Sequence, residues 1–234
     1  MLSSKEISHL GLDSGLVLEL VADIDCEGMN PDDRATIDKY AQDVILHLAP
    51  KPSRLYHSLS VAHESQRLAD VYGVDGYKAA VAGLLHDWDK LLGHDEIIQK
   101  ADDLGIDLGV DLKLVQPLLH GLVSRITLKD IYPELDEEIL EAIGNHTIAS
   151  THMSDLDKVV FIADTTEPRR KANPQIERLR ALVGQVSLDD LFWECFVGGI
   201  NYVLQTKRYL YPGTIEIYNE IVLSRLKKCV EKEL

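Results

Sequence analysis

Aromatic residues are scarce in this sequence, where Phe, Trp and Tyr together make up 6% of 234 residues. The apolar content is mostly Leu, Ile, Val and Ala, a balance that favours helices over a β-sandwich. No apolar run approaches the roughly 20 residues that a membrane-spanning helix needs. The first residues also lack the basic start and apolar core of a signal peptide. We therefore expect a mostly helical protein that is neither inserted in a membrane nor exported.

Cysteine and positive charge are also in short supply. The three cysteines, Cys26, Cys195 and Cys229, lie far apart and form no C-x-x-C pair. We therefore expect no disulfide framework and no structural zinc site, and a reducing cytoplasm as the location. Lys and Arg total 24 against 39 Asp and Glu, which gives a formal net charge of −15. Because so acidic a surface repels nucleic acid and anionic membranes, we expect neither as a partner.

Apolar stripes with helical spacing run through most of the chain. They predict helices over residues 31–48, 54–73, 76–92, 95–105, 117–131, 135–146, 154–164, 189–207 and 214–231. Before these, a short helix around residues 16–21 is expected to end in the polar residues 23–30. We find no alternating strand pattern, internal repeat or linker. The sequence thus predicts an all-α fold with one helical domain, residues 31–234, and a short N-terminal extension, residues 1–30, packed on it.

One apolar stretch, Ala79–Leu85, ends directly in two metal-ligand types, His86 and Asp87, with Lys90 three residues beyond Asp87. Buried ionisable groups are costly unless they are paired, protonated or bound to metal. Adjacent helical residues point about 100° apart, so both can hold one ion only near the end of the helix. On its own, such a dipeptide is more typical of a polar helix terminus than of a metal site.

Imidazole and carboxylate groups recur near the ends or first turns of the predicted helices. Six of them are His57, His86, Asp87, His120, His146 and Asp164. Each alone is more typical of a surface or core residue, but their repeated placement at helix ends indicates one shared site. Imidazole and carboxylate together suit first-row metals such as iron, manganese and zinc.

The order of these residues resembles the H…HD…D signature of the HD-domain phosphohydrolases. Their surroundings resemble one branch more closely, the YqeK-like symmetrical diadenosine tetraphosphate hydrolases. The similar motifs are Arg54-Leu-Tyr-His57, Ala82-Gly-Leu-Leu-His86-Asp87, His120-Gly121, His146-Thr147, Ala163-Asp164 with Glu167-Pro168, and Tyr218-Asn219. The likeness spans roughly residues 33–220. It implies an HD-domain helical bundle with two divalent transition-metal ions, iron being the family's usual choice and manganese or zinc the alternatives.

The resemblance also implies a role for each of the six residues. One metal would be held by His57, His86, Asp87 and Asp164. Asp87 would bridge to a second metal, which His120 and His146 complete. A metal-bridging hydroxide would then attack diadenosine tetraphosphate and give two ADP, because paired metals lower the pKa of a shared water and neutralise phosphate charge.

Three further residues are candidates for contact with the substrate phosphates: Lys90, Thr147 and Arg170. Lys90 also joins Asp87 as a catalytic candidate. Plainer roles stay open, namely a solvated or paired Lys90, a helix-capping Thr147 and a solvated charge run around Arg170.

Two features depart from the family. The Gly-rich turn that usually follows the His-Thr pair is replaced by residues 148–153, Ile-Ala-Ser-Thr-His-Met. Asp89 stands where the family usually has a small or neutral residue. We expect this extra carboxylate either to weaken phosphate binding or to pair with Lys90.

Three functions stay open at this level. The first is a hydrolase of dinucleoside polyphosphates, whose partner is a small-molecule nucleotide. The second is an HD phosphohydrolase acting on a nucleoside mono- or triphosphate, which the altered loop at 148–153 leaves open. The third is a non-catalytic nucleotide-binding or helical interaction module, which the complete set of six ligand types disfavours. The sequence leaves a homo-oligomer open.

Overall fold

The computed structural model describes residues 1–24 and 29–232, with side chains up to residue 227. In this part of the chain there are twelve α-helices and no strand, so the predicted all-α architecture is confirmed. The helices are α1 (Ser4–His9), α2 (Ser14–Ala22), α3 (Pro31–Leu48), α4 (Pro52–Tyr72), α5 (Gly76–Leu85), α6 (His94–Asp103), α7 (Leu119–Ile131), α8 (Glu137–Asn145), α9 (Asp155–Thr166), α10 (Pro174–Leu182), α11 (Leu188–Gln205) and α12 (Pro212–Lys232). Short 3₁₀ turns lie at Trp88–Leu91, Leu112–Leu114 and Gln116–Leu118. Within the described ranges, no helix combines the length and apolar character needed to cross a membrane.

Side-chain caps explain where several of these helices begin and end. The Ser154 hydroxyl accepts from the backbone N–H of Asp157, whose carboxylate accepts in turn from the N–H of Ser154. This reciprocal cap starts α9 at the beginning of the helix predicted over residues 154–164. Gly73 ends α4 with φ at 72°, the left-handed region that glycine adopts without steric cost.

Helix α5, which leads into His86 and Asp87, is shorter than the predicted range 76–92. It ends at Leu85, and Asp87 leaves helical geometry with φ −99° and ψ 22°. The following 3₁₀ turn buries Trp88, whose ring stacks on His47 at 4.0 Å between centroids. The expectation of one continuous helix to residue 92 is therefore wrong, because burying Trp88 requires the chain to turn at Asp87. Lys90 still lies one turn beyond Asp87, but the turn is 3₁₀, with the Lys90 N–H donating to the Asp87 carbonyl at 3.0 Å.

The N-terminal helices belong to the same hydrophobic core as the rest of the described chain. Ile7 of α1 and Val17 and Val21 of α2 are buried in one cluster with apolar residues of α3, α4, α5 and α9. Cys195 is buried with a free thiol. Cys26, with the rest of residues 25–28, lies outside the described residues, as does the side chain of Cys229. The domain boundary near residue 30 stays a prediction.

Helices α4 and α5 approach each other closely at Gly83. A Cβ built on Gly83 would lie 2.7 Å from the Cα of Ala62 and 2.9 Å from the Oγ of Ser65. This approach brings His57, in the second turn of α4, beside His86 at the end of α5, with 5.3 Å between their ring centroids. The glycine thus sets the spacing of two candidate ligands.

We expect Gly83→Ala to lower the free energy of unfolding by about 1–3 kcal/mol, because the added methyl group forces two backbones apart. Urea unfolding measures this change. Gly15→Ala in α2 is the matched control, since its Cβ would meet only Asp13 Oδ1, at 3.4 Å. That control should be neutral or slightly stabilising. Equal unfolding midpoints for Gly83→Ala and the wild type would contradict this account of the helix spacing.

Candidate metal centre

The structure brings the six candidate ligands to one place from five helices. His57 lies in α4, His120 at the start of α7 and Asp164 in the last turn of α9. His86 and His146 occupy the C-cap positions of α5 and α8, and Asp87 follows His86. Helix ends converge here, as the sequence pattern indicated, although α9 continues two residues beyond Asp164.

All four histidines use Nδ1 for a hydrogen bond to an oxygen atom. For three of them the acceptor is the carbonyl three residues earlier. For His57 it is a carboxylate. The pairs are His86 with Gly83 at 2.7 Å, His120 with Pro117 at 3.0 Å, His146 with Ile143 at 2.6 Å and His57 with Glu167 at 3.0 Å. A neutral imidazole that donates from Nδ1 carries a lone pair on Nε2. The fold therefore selects the tautomer that binds metal through Nε2.

The Nε2 atoms converge on the carboxylates of Asp87 and Asp164. His120 Nε2 is 3.1 Å from both His146 Nε2 and Asp87 Oδ1. His57 Nε2 is 2.9 Å from Asp164 Oδ1 but without the alignment of a hydrogen bond, and the buried Nε2 of His86 also has no partner. Facing lone pairs repel unless a proton or cation lies between them. This donor set, of imidazole nitrogens and carboxylate oxygens, fits a divalent transition metal.

Asp87 faces both halves of the cluster. Its Oδ2 is 3.8 Å from His57 Nε2 and 3.7 Å from His86 Nε2, whereas its Oδ1 points to His120. Two groups have ligand atoms within 4.8 Å of one another: His57, His86 and Asp164, and His86, Asp87 and His146. The two groups share His86, and Asp87 belongs to the second of them. The cluster therefore has donors for more than one cation, and the bridging role of Asp87 stays a prediction.

Burial and neighbouring charges set the protonation of the cluster. Burial lowers the pKa of His86, and it lowers the pKa of His120 and of His146 to about 4. Burial also disfavours the protonated form of His57, but its contacts with Asp164 and Glu167 outweigh this and raise its pKa to about 9. The neighbouring histidines hold the pKa of Asp87 well below its usual value despite burial. At neutral pH the cluster thus combines an ionised Asp87 with three neutral imidazoles, while His57 without metal is protonated between Asp164 and Glu167, a position that a bound cation would take over.

Glu167 is a site residue that the sequence analysis quoted only as part of a motif. It is 2% exposed. Besides accepting from His57, it accepts from the Ser60 hydroxyl at 2.7 Å and from the Arg169 N–H at 2.6 Å. A carboxylate behind a metal-binding histidine fixes the ring and raises its basicity. The Glu-Pro pair shortly after Asp164 was the one sequence signal that could have revealed this role.

We expect Glu167→Gln to weaken metal binding about 10- to 100-fold, because the amide holds and polarises His57 less well. Competition with a chelating dye measures the affinity. Glu194→Gln is the matched control, since Glu194 pairs with Arg178 at 2.8 Å on the surface. If both variants bind metal as tightly as the wild type, Glu167 has no positioning role.

The predicted cations border the cluster. Lys90 Nζ lies 3.1 and 3.2 Å from the two ring nitrogens of His120, and burial lowers the pKa of Lys90. Arg170 donates to Asp164 Oδ1 at 2.7 Å. Arg54, not singled out from the sequence, donates to Asp87 Oδ2 at 3.1 Å. Three cations therefore surround a centre in an otherwise acidic protein.

Thr147 and Asp89, next to the cluster, each make one contact that the sequence did not foresee. The Thr147 hydroxyl donates to the carbonyl of Leu118 at 2.7 Å, so its proton ties the end of α8 to the adjoining turn. Asp89 pairs with Lys100 at 2.7 Å, so the alternative of a pair with Lys90 is wrong. The 3₁₀ turn after Asp87 directs the Asp89 carboxylate towards α6.

Comparison with known proteins gives the family. Residues 54–169 match the HD domain family. The symmetrical bis(5'-nucleosyl)-tetraphosphatase of Staphylococcus aureus is 35% identical over 172 residues, 72% of this chain and 87% of that protein. The chain belongs to this HD-domain family. Its Bacillus subtilis member of the same name is 28% identical, with 72% of this chain and 89% of that protein covered.

The family also has a counterpart among solved structures. A Clostridium acetobutylicum protein, described as a predicted HD superfamily hydrolase involved in NAD metabolism, matches with a TM-score of 0.72 and 34% identity. The match covers 80% of this chain and 97% of that one. The resemblance drawn from the sequence motifs is confirmed.

Proposed function

We propose that this protein is a metal-dependent phosphohydrolase that cleaves diadenosine tetraphosphate into two ADP in the cytoplasm. The names of the Staphylococcus aureus and Bacillus subtilis relatives support this substrate. The observation that carries the proposal is the position of Asp87, whose Oδ2 faces the Nε2 atoms of His57 and His86 and whose Oδ1 faces that of His120. His146 Nε2 lies 3.1 Å from His120 Nε2. The net charge of −15 supports a small nucleotide rather than nucleic acid as the ligand.

The proposed cofactor is a pair of divalent transition-metal ions, with iron as the first choice and manganese or zinc as alternatives. His57, His86, Asp164 and one oxygen of Asp87 would hold the first ion. The other oxygen of Asp87, with His120 and His146, would hold the second. When bound, such a pair supplies a water of lowered pKa and neutralises charge on the phosphate oxygens.

The cationic side chains are placed to hold the phosphate chain. Lys51, Arg54 and Lys90 line a cleft of about 380 Å³ together with His120. Arg170 lies on the other side of the centre, against Asp164. Guanidinium groups bind phosphate oxygens in a fixed fork and ammonium groups act as point charges. We propose that Lys90 and Arg170 hold the outer phosphates, so that the central bridging oxygen is the one that leaves.

The loop after Thr147 is the specific reason to keep a second candidate. Ala149 has φ at 61°, a left-handed conformation that glycine adopts without strain, in the loop where the family usually has a Gly-rich turn. Ile148, in the same loop, lines the neighbouring cavity. A changed wall beside the centre favours testing nucleoside mono- and triphosphates as alternative substrates.

A substrate panel tests the proposal. Metal-loaded protein is offered diadenosine tetraphosphate, ATP and AMP, and the nucleotides are separated by chromatography. We expect the highest kcat/KM for diadenosine tetraphosphate, and no turnover after chelation. Faster turnover of ATP or AMP would favour the second candidate. Failure of fully metal-loaded protein to turn over any of them would favour a non-catalytic module.

A further inference from the structure

A second cavity, of about 680 Å³, adjoins the metal centre. It is bounded by the C-terminal part of α11, the chain that leads into α12 and the turn at 116–118. Thr147, which follows His146, lines it, and so does Pro117, whose carbonyl accepts from His120 Nδ1. The cavity therefore begins within one residue of a candidate ligand.

The walls of this cavity differ from the rest of the protein in two ways. Five of its twenty lining residues are aromatic, Phe161, Phe196, Tyr202, Tyr209 and Tyr211, although aromatics are 6% of the chain. None of these lining residues is Asp or Glu, although the chain has 39 of them, whereas Lys113 and Arg208 do line the cavity. The wall is thus apolar and free of the negative charge that would repel a phosphate-bearing ligand.

Two of the tyrosines that line the cavity are exposed to solvent. Tyr202 is 51% exposed and Tyr209 is 44% exposed. The guanidinium of Arg208 lies over the Tyr202 ring, 5.3 Å from its centroid. Lys207, with φ at 54°, turns the chain back after α11, and the N–H of Arg208 bonds to the carbonyl of Val203. The backbone adopts a conformation that L side chains rarely take, and it places Arg208 and Tyr209 at the cavity.

We propose that this cavity holds one nucleoside of the substrate, with its base against the tyrosines and its phosphates passing Thr147 towards the metal centre. The proposal deepens the proposed function and rests on it. The volume is that of a typical small-molecule site. Aromatic side chains stack on any nucleobase, because every base has a π-face.

The two sides of the 116–118 turn are chemically unequal. The cleft lined by Lys51, Arg54 and Lys90 has no Phe, Tyr or Trp among its described lining residues. The aromatic cavity lies on the other side of the turn, and Gln116 and Pro117 line both. One half of a symmetrical dinucleotide would therefore be held by its base, and the other half by its phosphates.

The test compares ADP with pyrophosphate, which keeps the phosphates and lacks the nucleoside. Both are titrated calorimetrically into metal-loaded wild type, Tyr202→Ala and Tyr209→Ala. We expect ADP affinity to fall about 5- to 100-fold in each tyrosine variant, the loss of one base–aromatic stack, with pyrophosphate affinity unchanged. Leu204→Ala is the matched control. Leu204 lies in α11 like Tyr202 and is 57% exposed, but it does not line the cavity. This variant should bind ADP like the wild type.

Unchanged ADP affinity in both tyrosine variants would overturn the nucleoside site, and so would an equal loss of pyrophosphate affinity. Hydrolysis assays on the same proteins separate this result from the proposed reaction. If the wild type cleaves diadenosine tetraphosphate normally but the tyrosine variants bind ADP like the wild type, the proposed nucleoside site is refuted and the proposed reaction stands. If the tyrosine variants bind ADP more weakly but the wild type does not cleave diadenosine tetraphosphate, the nucleoside site is supported and the proposed reaction is refuted.

Discussion

Asp87→Ala is expected to lower kcat/KM for diadenosine tetraphosphate at least about 1,000-fold, the upper range for loss of one preorganised electrostatic group. The reason is the position of this carboxylate between the two halves of the cluster. One oxygen faces His57 and His86 and the other faces His120, and the residue is 2% exposed. Its loss removes a ligand from both proposed metal positions. Elemental analysis should find less than one metal ion per chain.

His146→Ala should behave differently, because His146 is assigned to the second position alone. We expect about one ion per chain and partial activity. Asp43→Ala is the control for removal of a partly buried carboxylate, since Asp43 accepts from Tyr132 at 2.8 Å, away from the centre. It should keep wild-type metal content. Full activity of Asp87→Ala, or equal metal loss in the Asp87 and His146 variants, would refute the bridging assignment.

Removal of metal by a chelator is expected to lower the melting temperature by about 8–16 °C. An ion bound only by the folded state at 1,000 times its Kd adds about 4 kcal/mol. One kcal/mol shifts the melting temperature by about 2–4 °C in a chain of this size. The structural reason is that metal-free Nε2 atoms of His57 and His86 stay buried without a hydrogen-bond partner.

Thermal melts with and without chelator, followed by return of the metal, measure this shift. The His146→Ala variant should show a smaller shift than the wild type, since it is expected to bind fewer ions. Melting curves that do not respond to chelation, in protein shown to carry metal beforehand, would contradict a centre that links five helices.

Much of the fold followed from the sequence because the long helices carry their own apolar stripes. The helix α3, with Ile37, Val44 and Ile45 buried, begins and ends where periodicity predicted. The short helices α1 and α10 were not predicted. Helix α1 has only six residues, and α10 buries only Ile176 and Leu179, so neither shows a clear apolar stripe. Their start depends on caps, Ser3 for α1 and Asn173 for α10.

Part of the candidate site could likewise be predicted from the sequence, and part could not. The six ligand types could be gathered from the sequence because His and Asp are distinctive and recur at helix ends. Glu167 was not assigned a role, since the Glu-Pro pair marks its position but its contact with His57 joins residues 110 positions apart. The aromatic cavity was missed for a similar reason, because Phe161 and Tyr209 come from separate helices and loops that meet only in the folded chain.

Product analysis in water enriched with heavy oxygen tests the central claim most directly. Metal-loaded protein is incubated with diadenosine tetraphosphate in this solvent. The nucleotides are then separated, and their masses are measured by mass spectrometry. Attack beside the central bridging oxygen places one solvent oxygen on one of the two halves. The account predicts ADP as the sole nucleotide product, with one heavy oxygen in half of its molecules. ATP and AMP in equal amounts would contradict it.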